Sequence, residues 1–371
     1  MKFNKISRKL AAALLTGTMM VSMLGMTAMA ANTAVDGDAE GASFTKYLLM
    51  DEDANVPNAT FNYTVSPGTP KDATETTPEI KAGIGDVTVT DTVFEAGDTT
   101  YATVETGDTV TLADGQKYAK ETATVDFSGV SFTEPGIYRY VITESGTNDG
   151  VTNDTNNTIH LDVYVVSDED GVLSIDGYVF PDGDDNDADE ETAKVDGFVN
   201  TYDTTNITLE KLVTGNQGNR NQYFSFNVVI DDAVPGTVYT VSGGKSTNPT
   251  VLTADTNGTV TGTFELKDGD MLTIKGLTDA TTYTITEDDY SSQGYTTKWD
   301  DAASTVYDTD EAAEGLTTGK LTVEAAQNVT FENAKEVVTP TGIVMSIAPY
   351  ILMVVFAGVF AVMFLRKRKE Y

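Results

Sequence analysis

Between two strongly apolar ends the chain repeats one pattern. Short runs alternate apolar and polar positions and are rich in Thr, Val, Tyr and Ile, and clusters of Gly, Asp and Asn separate them. Val87–Thr90, Ile137–Thr143, Ile159–Val166, Tyr223–Ile230 and Tyr283–Thr286 are examples. Alternation with a period of two predicts strands that bury one face, and the intervening clusters predict turns. No convincing amphipathic helix lies between the ends, and so much Thr, Asp, Asn and Gly disfavours one. The pattern predicts an all-β protein of the sandwich type.

The two ends read differently. Lys2, Lys5, Arg8 and Lys9 precede an apolar stretch from Ala11 to Met26 and a small-x-small site at Ala28-Met29-Ala30, which predicts a signal peptide over residues 1–30. The apolar run Ile343–Leu365 is long enough to span a bilayer as a helix, and the basic tail 366–371 behind it would stay in the cytoplasm. What remains between the ends is too long for one small core and suits two domains. The formal net charge of −34 disfavours nucleic acid and anionic membranes as partners. With no cysteine, an exported chain must be held by its cores, by metal or by another covalent link.

A crude repeat places the division near Asp203-Thr204-Thr205, giving domains 31–203 and 204–336. Each half opens with a strand carrying a lysine, Lys46 or Lys211. A strand ending in glutamate follows, Glu144 or Glu287, and an asparagine after an aromatic closes each half, Asn200 or Asn333. Because residues two apart share a strand face, all six fall on apolar faces. Lys46 lies with Phe44 and Leu48, and Lys211 with Leu209 and Val213. Glu144 follows Tyr140 and Ile142, and Glu287 follows Tyr283 and Ile285. Asn200 lies between Phe198 and Tyr202, and Asn333 after Val329 and Phe331. Buried polar groups without partners are costly, so six in the same order need a common cause.

Intramolecular isopeptide formation fits these residue types. Burial lowers the lysine pKa and leaves Nζ a neutral nucleophile. It raises the glutamate pKa, so the protonated acid can bond to the asparagine carbonyl and then shuttle a proton to departing ammonia. The amide so formed joins two strands and needs no metal or cofactor. A hydrogen-bonded Lys-Glu-Asn cluster without the bond is the alternative.

The segment Phe127–Glu144, with Phe198-Val199-Asn200-Thr201-Tyr202, resembles the streptococcal pilin isopeptide-linkage domain. Lys211–Arg220, Leu266–Asp270, Ile274–Leu277, Tyr283–Glu287 and Val329–Asn333 resemble the partner domain of the same two-domain backbone pilins. Asn219 stands where aspartate is more usual. The resemblance implies two immunoglobulin-like, Cna-B-like β-sandwich domains in series. It also implies cross-links Lys46–Asn200 and Lys211–Asn333, assisted by Glu144 and Glu287. Val338-Thr339-Pro340-Thr341-Gly342 (residues 337–342 being the sorting segment) resembles the signal read by Gram-positive sortases, with Thr339 where leucine is usual. By that likeness the chain is cut between Thr341 and Gly342, and the threonine carboxyl passes to an amine. The implied partners are a class C sortase, a housekeeping sortase, identical subunits in a fibre, minor pilins and cell-wall peptidoglycan. The membrane holds only the precursor of this cell-surface, wall-anchored pilus.

The polymer also needs an acceptor amine. The stretch Val179-Phe180-Pro181-Asp182 has no lysine, and by resemblance Lys194 is the candidate acceptor, with Lys71, Lys81, Lys117 and Lys120 as substitutes. The acidic stretch Asp182–Glu191 fails the calcium-loop pattern and reads as a solvated loop. His160, the one histidine, alternates with Ile159 and Leu161 and faces away from the core. With no cysteine and no second histidine, hydrolytic and zinc catalysis lack parts. The expected function is therefore structural: a backbone pilus subunit whose only chemistry is a single turnover on itself. A minor or basal pilin, or a monomeric wall-anchored adhesin, is the first rival, although Asn333–Val337 is too short for a stalk. A cell-surface enzyme is the second.

Overall fold

A computed structural model describes residues 42–75, 77–181, 197–301, 312–323, 326–337 and 341–367. The alternating runs form strands in four sheets, which face each other in two pairs. In the first pair, one sheet runs Asp86–Val89, Gln116–Gly129, Ser43–Asp51, Gly197–Tyr202, Val151–Thr152. The facing sheet runs Leu173–Val179, Thr158–Ser167, Gly136–Ser145, Ala59–Pro67, Thr92–Phe94. The second pair has Thr205–Thr214 and Gln327–Ala334 at the centre of a seven-stranded sheet. Phe224–Asp231 and Thr282–Glu287 are the middle strands of the four-stranded sheet facing it.

The burial of each strand follows its sequence alternation. Phe224–Asp231 and Thr282–Glu287 bury every second residue, because only one face of each sheet meets its partner sheet. Two separate cores result. One gathers Phe44, Leu48, Phe61, Tyr140, Ile142 and Phe198, and the other Leu209, Val213, Phe226, Ile285 and Phe331. Trp299 packs at the edge of the second core.

In both sandwiches the first and last strands lie side by side and parallel, a pairing that adjacent elements of the chain cannot make. Ser43–Asp51 pairs with Gly197–Tyr202, and Thr205–Thr214 with Gln327–Ala334. The first of these pairs depends on Gly197. Its φ is +150°, and a Cβ there would lie 1.6 Å from the Thr45 carbonyl oxygen, so any side chain would push the strands apart.

The sandwiches meet through polar and small groups. Asn55 Nδ2 donates to Val238 O at 2.9 Å, Asn58 Nδ2 donates to Pro235 O at 2.8 Å, and Lys275 pairs with Asp53. Gly150, at φ +71°, sits where a Cβ would meet Thr278 Cγ2 at 2.3 Å.

Arg139 sits opposite Glu144's face, as its strand parity predicts, yet it is fully buried. Ile80–Ala82 pairs beside its strand, and a Cβ on Gly68 would meet Arg139 Cγ at 2.4 Å, so the chain passes close against the arginine. There Arg139 Nε and Nη2 donate to the two oxygens of Asp162, each at 2.7 Å. His160 is half-buried on the strand beside it.

The chain ends in a helix, Thr341–Lys367, of 27 residues. Its side chains are described from Tyr350 to Met363, and all of these are exposed. Among the described residues no helix is long and apolar enough to cross a membrane; the expected span Ile343–Leu365 falls within Thr341–Lys367, with side chains described only from Tyr350 to Met363. The signal peptide, Lys194, the Asp182–Glu191 stretch and Val338-Thr339-Pro340 lie outside the described residues altogether.

Candidate functional site

The parallel pairing brings each lysine beside its asparagine. In the first sandwich Lys46 is opposite Phe198 and Leu48 opposite Asn200. In the second, Lys211 is opposite Phe331 and Val213 opposite Asn333. The offset is the same in both: the asparagine lies two residues beyond the lysine's own partner, on the same inward face. The glutamate comes from the other sheet, at the end of Gly136–Ser145 or Thr282–Glu287. Each triad thus spans the core, with two members on one sheet and the third facing them. Lys46, Asn200, Lys211 and Asn333 have no solvent exposure, and Glu144 and Glu287 are buried.

In the first site Lys46 Nζ lies 2.7 Å from Glu144 Oε2, a close ion pair without hydrogen-bond alignment. Asn200 Nδ2 donates to Glu144 Oε1 at 2.6 Å. The carboxylate therefore bridges the amine and the amide nitrogen. This corrects the expected contact of glutamate with the asparagine carbonyl. That carbonyl, Oδ1, instead accepts the backbone N–H of Asp154 at 3.0 Å, and Asn153 Oδ1 accepts a second bond from Nδ2 at 3.1 Å. Lys46 Nζ also faces the Phe61 ring, 4.4 Å from its centroid. Burial among these groups pulls the Lys46 pKa down to about 8, against the opposing pull of Glu144.

The second site repeats the arrangement more loosely. Lys211 Nζ lies 3.3 Å from Glu287 Oε1, 4.6 Å from the Phe224 ring centroid, and donates to the Phe331 carbonyl at 3.1 Å. Neither the Asn333 amide nor the Glu287 carboxylate makes an aligned hydrogen bond. Burial pushes the Glu287 pKa up and the Lys211 pKa down, so the pair is drawn toward its neutral forms. Lys211 and Asn333 still lie near enough to Glu287 to offset part of that rise.

The structure brings together, in two groups, all six residues that strand parity singled out. The Asn153-Asp154 loop beside Asn200 reads in the sequence as an ordinary polar turn and gave no signal. Nor did the cluster on the outer face of the first sandwich, where Asp108 accepts from Tyr118 OH and from Lys120 Nζ at 2.8 Å. Lys120 is thereby held in an ion pair, and Lys81 likewise pairs with Glu134 at 2.5 Å.

Comparison with known proteins separates the two halves and then joins them. Residues 27–203 match the family model described as the Spy0128-like isopeptide containing domain. Residues 205–335 match a domain of unknown function, DUF7601. A pilin of Streptococcus pyogenes serotype M1 is 28% identical over 375 residues, covering 97% of this chain and 99% of the relative. Over nearly its whole length, then, the chain is similar to a pilin. A crystal structure of the major pilin from Streptococcus pyogenes has a TM-score of 0.54 and 24% identity with this chain, covering 81% of it and 100% of the other chain, which shows a shared fold. A pilus tip adhesin of Streptococcus pyogenes is 31% identical over 140 residues, 38% of this chain and 18% of the adhesin.

Proposed function

We propose that this chain is a pilin, a backbone subunit of a covalent fibre, held internally by Lys46–Asn200 and Lys211–Asn333 isopeptide bonds. The domains carrying them are immunoglobulin-like, Cna-B-like sandwiches over residues 31–203 and 204–336. The observation that supports the reading most is the bridging position of Glu144 between Lys46 Nζ and Asn200 Nδ2. In its neutral form Nζ attacks Asn200 Cγ. One Nζ proton passes to Glu144 Oε2, a proton from the same carboxyl reaches Nδ2, the Cγ–Nδ2 bond breaks and ammonia leaves. The new amide keeps one N–H and the original carbonyl oxygen, so atoms and charge balance. Burial supplies the neutral amine, and the fold supplies the proximity. Lys211, Glu287 and Asn333 act in the same way in the second domain.

Such a bond ties the first strand of each domain to its last, across the path of a force applied along the chain. Each tie closes a loop of order one hundred residues, and in the chain-entropy model it adds roughly 5 kcal/mol to the resistance to unfolding. The expected export and sorting follow from the sequence. A signal peptide over 1–30 is removed, and sortase cuts between Thr341 and Gly342 while Ile343–Leu365 holds the precursor in the membrane. Thr341 then passes to an amine of the next subunit, with Lys194 as candidate acceptor, or to peptidoglycan. Intact mass tests the internal bonds: the mature chain should be lighter than its sequence by two ammonia molecules. A mass equal to that of the unmodified sequence overturns the reading.

A further inference from the structure

The two triads differ most in what holds the asparagine. In the second site the Asn333 amide has no aligned partner. In the first, a short loop between Val151–Thr152 and Thr158–Ser167 closes over Asn200. The loop is tied to both strands that bring the reacting groups. Asp154 Oδ2 accepts the Val199 backbone N–H at 3.1 Å, one residue before Asn200. Asn153 Nδ2 donates to Gly146 O at 3.1 Å, and the Glu144 backbone N–H donates to Asn157 O at 2.9 Å. Asp154 Oδ1 accepts from the Asn156 N–H at 2.9 Å and so fixes the turn itself.

From this geometry we infer that the Asn153-Asp154 loop belongs to the bond-forming machinery of the first domain and has no counterpart among the described residues of the second: the Asp154 backbone N–H is the oxyanion donor, and Asn153 is the positioning residue. The inference rests on the isopeptide reading above. When Nζ adds to Cγ, the carbonyl electron pair moves onto Asn200 Oδ1. The Asp154 N–H already points at that oxygen from 3.0 Å, where a fixed dipole in a water-poor core favours the developing charge without reorganising. When the intermediate collapses, the pair returns to the carbonyl and Nδ2 departs as ammonia with the proton from Glu144. Asn153 decides which way the amide faces. Its Oδ1 can accept only from Nδ2, so it turns the nitrogen toward Glu144 and the oxygen toward Asp154.

Cell-free synthesis of the mature chain, quenched in acid at intervals and read by intact mass and by the two cross-linked peptides, follows both bonds in one molecule. Replacing residue 154 by its α-hydroxy acid exchanges the N–H for an oxygen and keeps the side chain. The Lys46–Asn200 bond should then form about a hundredfold more slowly, while Lys211–Asn333 keeps its rate. Protease resistance of residues 43–202 checks that the first domain has folded. Asn153→Ala should slow the first bond about tenfold, as expected for loss of about 1.4 kcal/mol of positioning, and Asn153→Asp, which keeps an acceptor oxygen, should recover most of that. An unchanged first-bond rate in the ester variant overturns the oxyanion role. Equal rates for Asn153→Ala and Asn153→Asp overturn the positioning role. Should the ester variant fail to fold, the Asn153 pair decides alone. If neither bond forms in the unaltered chain, the isopeptide reading itself has failed, and the loop assignment fails with it.

Discussion

The two halves of this chain place the same three residues at the same register and surround them differently. In the first, the carboxylate of Glu144 contacts both the lysine and the asparagine nitrogen, at 2.7 and 2.6 Å, and the asparagine amide has a partner on each side. In the second, Lys211 is 3.3 Å from Glu287 and shares its donors with the Phe331 carbonyl, while Asn333 has no aligned bond. Parallel pairing of first and last strands is enough to bring lysine and asparagine together. Orienting the amide takes a further element, and only the first domain has one among the described residues. A buried amide without partners is costly, so the second site carries a penalty at its asparagine that the first does not.

The sharpest way to break the comparison is to remove one carboxylate at a time. Glu144→Ala should abolish the first bond and leave the second, and Glu287→Ala should do the reverse. Each variant should be heavier by one ammonia than the fully linked chain, allowing for the substitution. Each altered domain should also lose roughly 5 kcal/mol of resistance to unfolding, read by denaturant melts. Loss of both bonds in either single variant would mean that the domains do not react independently.

Next in size is the buried Arg139–Asp162 ion pair of the first domain. Asp162→Ala takes from the Arg139 guanidinium its two-point carboxylate partner, which should cost about 1.5–3 kcal/mol in that domain's melt. Asp162→Leu with Arg139→Met should recover most of it. A loss under about 1 kcal/mol for Asp162→Ala would show that the other contacts of Arg139 satisfy its charge.

Kinetics sharpen the contrast between the sites. In the unaltered chain the Lys46–Asn200 bond should appear about tenfold sooner than Lys211–Asn333, a difference of about 1.4 kcal/mol in barrier. Its rate should depend on pH in a defined direction. Below about 8 the Lys46 ammonium predominates, so each unit of acidification should cut the neutral amine, and the rate, about tenfold. Above that value the rate should level off. A rate independent of pH from 5 to 8 would remove the neutral lysine from the mechanism.

The smallest effect should come from the contact between the sandwiches. Lys275 and Asp53 pair at a largely exposed site, and Lys275→Ala should change the melt by less than about 1 kcal/mol, with the difference vanishing in high salt.

Alternation made the strands legible in the sequence, because a sheet with one wet face must repeat every two residues. The same parity exposed Lys46, Glu144, Asn200 and their counterparts, since a charged or amide side chain on an apolar face is improbable without a partner. The Asp162 partner of Arg139 was not legible. Arg139 lies on the face that alternation assigns to solvent, and its burial there comes from chain brought against it by the fold, Gly68 among it. The amide orientation at Asn200 was not legible either. The sequence contains a donor and acceptors in plenty, and nothing local says that the backbone of Asp154 will reach the carbonyl first.

By itself, then, the sequence determined which polar residues fall on apolar strand faces, because composition and parity are local properties that every strand carries along its own length. It determined the export and sorting expectations in the same way, from contiguous segments. Tertiary structure alone decided that first and last strands run parallel with an offset of two, that the glutamate enters from the opposite sheet, and that one asparagine is held while the other is not. Those outcomes depend on contacts between residues far apart in the chain, 46 positions for Asp154 with Asn200 and 120 for Lys211 with Phe331. Chain connectivity does not encode such contacts, and only the burial of both apolar faces in one core selects them.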